Sequence, residues 1–131
     1  MDFDPAELDC KLFVGSNCSR DELLQHVAAA CTSADGKTPP IHRGTIEAID
    51  YSVDVGNNPD WKTGTYKRTF EEFLFAPYIV EIYPRREMSL NERVVFAERI
   101  AIAISNIPAE VVAACDYEDM LPSSLTLHAP N

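Results

Sequence analysis

Two groups of carboxylates carry the residue types in this chain best suited to acid–base or metal chemistry. They are Asp50, Asp54 and Glu81 in the middle and Asp116, Glu118 and Asp119 further on. The first group would supply a general acid and base if neighbouring strands brought two carboxylates together and burial raised one pKa. Nothing local in the sequence buries them. The second group offers hard oxygens of the kind that hold Mg²⁺ or Ca²⁺, but without the spaced, glycine-bearing loop such sites use. It reads as a solvated acidic turn, and no metal is expected. Cys18 stands just ahead of a helix start, where the positive end of the helix dipole lowers a thiol pKa. A nucleophilic role also needs a base, and His26, His42 and His128 reach Cys18 only through the fold. The five glycines are dispersed and form no phosphate-cradling loop. Ser16, Ser19 and Ser89 sit in turn or cap contexts without a nucleophile elbow. The expectation is a protein with no catalytic residue and no cofactor.

The elements that would position these groups are more legible. Ser19-Arg20-Asp21-Glu22 and Ser89-Leu90-Asn91-Glu92 are both capping boxes. In each, the serine hydroxyl accepts from the glutamate N–H three residues on and the glutamate reaches back to the serine N–H. The first opens a helix over 19–32, with Leu23, Leu24, Val27, Ala28 and Cys31 at helical spacing. The second opens a helix over 89–105, with Leu90, Val94, Ala97, Ala101 and Ile104 as its stripe. Val95, Ile100 and Ile102 widen that stripe, which points to a helix covered on more than one side.

Strand signals surround the helices. Leu12-Phe13-Val14 lies in a run from Cys10 to Gly15 bounded by turn residues. From Thr45 to Val55 the pattern alternates, with Ile49, Tyr51, Val53 and Val55 set against Ala48, Asp50, Ser52 and Asp54, so one strand with an acidic wet face is expected. Gly56-Asn57-Asn58-Pro59-Asp60 is a turn, followed by a segment holding Trp61 and Tyr66 among basic residues that reads as a longer hairpin or a loop. A strand from Phe73 to Tyr83 is broken near Pro77, which lacks an N–H and belongs at a bulge or strand start. The last strand is Glu110 to Cys115. The order β-α-β-β-α-β predicts an α+β, ferredoxin-like split βαβ fold: a four-stranded antiparallel sheet with both helices on one face. One domain spans 1–131, its core at about 10–122 and its tail at 123–131 loose.

Composition restricts the partners. Asp plus Glu number 21 against 11 Lys plus Arg, giving a formal charge of −10. A nucleic-acid binder needs a basic face, so this balance argues against one and favours quick encounter with a basic protein. No stretch approaches the ~20 apolar residues of a membrane span. Met1-Asp2-Phe3-Asp4-Pro5 has neither a basic n-region nor an apolar h-region, so a cytoplasmic location is expected. Cys10, Cys18, Cys31 and Cys115 form no CxxC pair and read as reduced thiols, Cys31 and Cys115 as small core residues.

Pro77 to Ile82, a capped helix, and then Val111-Val112-Ala113-Ala114-Cys115-Asp116-Tyr117-Glu118-Asp119-Met120-Leu121-Pro122 form a layout that resembles small, acidic bacterial immunity proteins of toxin/immunity systems. The resemblance implies a non-catalytic cytoplasmic protein that neutralises a cognate, basic toxin by occluding it. The contact surface expected from the residues is the face bearing Asp50, Asp54 and Glu81 with the loop around Trp61 and Tyr66, joined by Asp116, Glu118 and Asp119. The open face of such a sheet also suits pairing with a second copy. Two other readings stand beside this one: a small ligand-binding or regulatory domain, and a small hydrolase or isomerase using the carboxylates or Cys18.

Overall fold

Both helix starts are set locally by the serine–glutamate pairs. In the computed structural model, which describes residues 9–32, 36–59, 76–107, 109–115, 117, 120 and 121, Ser19 Oγ accepts from Glu22 N at 3.1 Å and Ser89 Oγ from Glu92 N at 3.2 Å. The return bonds from the serine N–H groups to the glutamate carboxylates complete each box. Helix α1 runs Arg20–Ala30 and helix α2 runs Leu90–Ser105. Both lie within two residues of the sequence expectation.

The strands are β1 (Cys10–Ser16), β2 (Ile41–His42), β3 (Thr45–Glu47), β4 (Tyr51–Asn57), β5 (Tyr78–Pro84) and β6 (Ala109–Ala114). They form one antiparallel sheet in the order β2-β3-β4-β5-β1-β6. The fold is therefore α+β, with six strands among the described residues where four were expected. The difference arises in the segment from Thr45 to Val55, which is two antiparallel strands: Glu47 stands opposite Ser52 and Thr45 opposite Asp54. Three bonds fasten the reversal. Arg85 N donates to Asp50 O at 2.7 Å, Arg85 Nη1 to Ala48 O at 2.8 Å, and Arg86 Nε to Asp50 Oδ1 at 2.8 Å. Ala48 is consequently buried and Ile49, assigned inward by the alternation, is 82% exposed at the tip.

The added strand β2 joins β3 through a two-residue turn, with His42 opposite Thr45. Arg43 and Gly44 take φ of 52° and 85° there, the left-handed pair that matches the twist of a hairpin. Arg20, at the start of α1, holds this turn to β4 by donating to Val55 O at 3.1 Å and Arg43 O at 3.4 Å. The strand expected from Phe73 begins at Tyr78, directly after Pro77, and 73–75 lie outside the described residues. Buried Asn58, just past β4, reaches the residues just before β5, its Nδ2 donating to Ala76 O at 2.7 Å.

One apolar cluster unites the helices with alternate residues of the long strands. Leu23 and Val27 of α1 and Ala97, Ile100 and Ile104 of α2 meet Leu12, Val14, Val53, Val55, Val80, Ile82, Val111 and Ala113. Successive strand residues point to opposite faces, so both helices cover the same face. The other face carries Lys11, Phe13, Asp54, Ile79, Glu81, Tyr83 and Val112 in register across four strands. No helix among the described residues is long and apolar enough to cross a membrane.

Candidate functional site

The strand reversal at residues 48–50 and the N-terminal half of α2 stand on either side of a cleft of about 710 Å³. The loop residues Lys37 to Pro40 and the end of α1 at Cys31 and Thr32 close it further. Tyr51 and Phe96 form part of the lining and are stacked at 3.7 Å between centroids with their planes 2° apart. Both are buried. The Tyr51 hydroxyl donates to Glu92 O at 3.3 Å, and burial pushes its pKa up to about 12. Burial likewise raises the Cys31 thiol to about 11. This wall therefore stays uncharged at neutral pH.

The sides of the cleft are apolar and its rim is charged. Ile49 at 82% and Val95 at 48% are exposed and line it from opposite elements. Val95 and Ile102, expected to lie under a covering layer, are both exposed on α2, whereas Ile100 is buried. Glu47, Asp50 and Glu92 supply carboxylates and Lys37 and Arg99 supply cations. Arg86 fixes two of the acids, with Nε 2.8 Å from Asp50 and Nη2 3.4 Å from Glu92. The Glu92 carboxylate is held below its ordinary pKa by the backbone and side-chain hydrogen bonds of Ser89 and by the Arg86 charge.

The sequence-predicted residues are divided among several places. Asp54 and Glu81 do meet, as directly opposed residues of β4 and β5 on the face away from the helices. Each has another partner: Thr45 Oγ1 donates to Asp54 at 2.6 Å, and Lys11 Nζ lies 3.9 Å from Glu81. Tyr83 beside them has its pKa raised by burial and by the Glu81 and Asp54 charges. Asp50 does not belong to that face. It sits at the β3–β4 reversal on the cleft rim, because the chain turns back before β4 begins. Trp61, Tyr66, Asp116, Glu118 and Asp119 lie outside the described residues.

Cys18 is half-buried in the turn before α1, its carbonyl accepting from the Tyr78 hydroxyl at 2.6 Å. His26 and His42 are exposed, on α1 and on β2. No group of three or more His, Cys, Asp or Glu among the described residues is arranged to hold a metal.

Sequence reasoning missed two clusters. The cleft was hidden because Ile49 was placed inside a continuous strand. The second is an ion pair between α2 and the residue before β1: Arg93 Nη1 contacts Asp9 Oδ1 at 2.8 Å, and the Tyr117 hydroxyl donates to Asp9 Oδ2 at 2.6 Å. The Asp9 side chain is only 4% exposed. Its partners are far apart in sequence and no spacing announces them. Comparison of the chain with protein-family models, with curated proteins and with solved structures gave no match to any of them.

Proposed function

We propose that this is a non-catalytic protein-binding domain, an inhibitor of the immunity type that occludes a basic toxin domain, and that its contact surface centres on the cleft between α2 and the β3–β4 reversal. The observation that carries this reading is the convergence of exposed Ile49 and Val95 on a cleft rimmed by Glu47, Asp50 and Glu92. Large apolar side chains held in the open beside a cleft suit an interface centre, and a charged rim suits its edge. The formal charge of −10 speeds encounter with a basic surface.

The four long strands with the two helices also fit the split βαβ plan, with the β2–β3 hairpin added beside β4. Supporting that plan, α1 links β1 to β4, which lie either side of β5, and α2 links β5 to β6, which lie either side of β1.

The test pairs Ile49→Asp and Val95→Glu with the unaltered protein in two assays: capture of a basic protein from the producing cell, and neutralisation of that protein's toxicity on co-expression. Both variants should keep the unfolding midpoint, since both positions are exposed, and lose capture and neutralisation at least tenfold. Retained neutralisation in both variants would move the interface elsewhere. Loss of toxicity control with no captured protein would refute direct occlusion.

The cleft volume favours one second reading. About 710 Å³ lies within the roughly 300–1,000 Å³ of small-molecule sites, which are commonly apolar with a few polar groups. A small molecule retained by the purified protein in native mass spectrometry, and displaced in Val95→Glu, would select a ligand-binding domain instead.

A further inference from the structure

We infer that Cys10 and Cys115 are a peroxide-sensitive thiol pair that closes to a disulfide across the β1–β6 ladder. The register sets them face to face. Lys11 stands opposite Ala114 and Leu12 opposite Ala113, and one further step brings Cys10 opposite Cys115. Both side chains lie on the helix-covered side of the sheet, Cys10 within the core and Cys115 packed against it. Cys115 is the largest influence raising the Cys10 pKa, as fits two adjacent thiols, and neither is in a disulfide.

Directly opposed residues of an antiparallel pair have Cα atoms about 4.5–5.5 Å apart. A disulfide accepts roughly 4.4–6.8 Å, so side-chain rotation suffices to bring the sulfurs into bonding distance.

Accessibility orders the chemistry. Cys10 is 1% exposed and Cys115 is half-buried, so hydrogen peroxide meets Cys115 first. Cys115 and burial hold the Cys10 thiol well above its ordinary pKa, so Cys10 is the slower of the two to attack peroxide. The Cys115 sulfur attacks peroxide: an S–O bond forms, the O–O bond breaks and one water leaves, giving a sulfenic acid. Cys10 then attacks that sulfur, the S–S bond forms, the S–O bond breaks and a second water leaves. Two thiols lose two electrons and two protons in all, and peroxide is reduced to two waters.

The pair sits where a covalent tie has most to hold. Among the described residues β6 is an edge strand, its sheet neighbour β1. Just past it, Tyr117 reaches Asp9, next to Cys10, at 2.6 Å. The tie would join two segments far apart in sequence, where restriction of the unfolded chain is large.

The test exposes the full chain to a small excess of hydrogen peroxide under native conditions, alkylates the remaining thiols and maps the peptides without reduction. The expected product is a linked peptide containing Cys10 and Cys115, with Cys18 and Cys31 alkylated. The melting temperature should rise by about 10 °C and return on reduction with dithiothreitol. Cys115→Ser, at a half-buried position, should keep the untreated melting temperature and lose both the link and the rise. A Cys18→Ser, Cys31→Ser double variant should keep both. The inference fails if Cys115 proceeds to sulfinic acid while Cys10 stays alkylatable after unfolding, if the links join other cysteines, or if the Cys10–Cys115 link forms without a rise in melting temperature.

Discussion

Ser89 does two jobs at the start of α2: its hydroxyl receives one otherwise unpaired helix N–H, and its own N–H steadies the Glu92 carboxylate. Ser89→Ala should lower stability by about 1 kcal/mol, as should Ser19→Ala, measured by urea unfolding at neutral pH. Glu92 has a depressed pKa in the folded state. Its share of stability is therefore present above the ordinary carboxylate pKa and lost as pH falls through the lowered one. The gap between Ser89→Ala and the unaltered protein should narrow in acid, and a constant gap down to pH 2 would detach Glu92 from the cap. Asp9 is a harsher site. Its buried carboxylate serves both Arg93 and Tyr117, and Arg93 Nε is already buried without a partner. Asp9→Ala leaves a poorly solvated cation and a buried hydroxyl behind, so about 3 kcal/mol should be lost in the same assay. A loss below 1 kcal/mol would mean that Arg93 escapes to water.

At the scale of elements, the β2–β3 turn is the most constrained piece. A Cβ on Gly44 would collide with the Arg20 guanidinium and stand 3.0 Å from Val55 O, at a φ of 85° that side chains resist. Gly44→Ala should cost about 2 kcal/mol. Arg43→Asn, at φ 52°, should gain several tenths of a kcal/mol, because asparagine tolerates the left-handed region better. Thermal melts of the two variants should move in opposite directions. The same region marks where sequence reading stopped. Both capping boxes, both helices and the long strands were legible because each has a local signature. The reversal at 48–50 has no glycine or proline, and its stabilising bonds come from Arg85 and Arg86, far along the chain. A trace of it was present: buried Ile46 and Ala48 are even-numbered, whereas buried Tyr51, Val53 and Val55 are odd-numbered. A single strand keeps one parity per face, so the change of parity records the turn. Of the candidate site, Asp50 was named for the wrong face, and the cleft depended on that unseen turn.

For the whole molecule, several buried acids that are neutral at physiological pH act together. Cys31 is raised to about 11 and Tyr51 to about 12, each chiefly by burial. Cys10 is raised by the neighbouring Cys115 thiol and by burial, and Tyr117 chiefly by burial. The unfolded chain releases these protons at the ordinary values near 9 for thiols and 10 for tyrosines, while the folded chain retains them. Stability is therefore full below about pH 9 and falls progressively as pH rises to 12 and beyond. Melting temperatures scanned from pH 7 to 11 should show a plateau and then a decline. Cys31→Ala should soften the first part of that decline. An unchanged midpoint through pH 11 would mean that these groups are as accessible folded as unfolded.

The position of β1 has a kinetic consequence. Among the described residues it is the first strand, yet its sheet neighbours are β5 and β6, reached only after α1, the β2–β4 strands and, for β6, α2 have been passed. On a ribosome, Cys10 to Ser16 would emerge before its sheet partners and wait as a largely apolar segment until Tyr78 and then Ala109 followed. Synthesis at roughly 5–20 residues per second makes that wait last several seconds. Such long-range closure slows folding and leaves a sticky strand open to other chains. Ribosome-stalled chains ending before β5 should therefore remain protease-sensitive over 10–16, and protection should arrive only once β5 and β6 have cleared the exit tunnel.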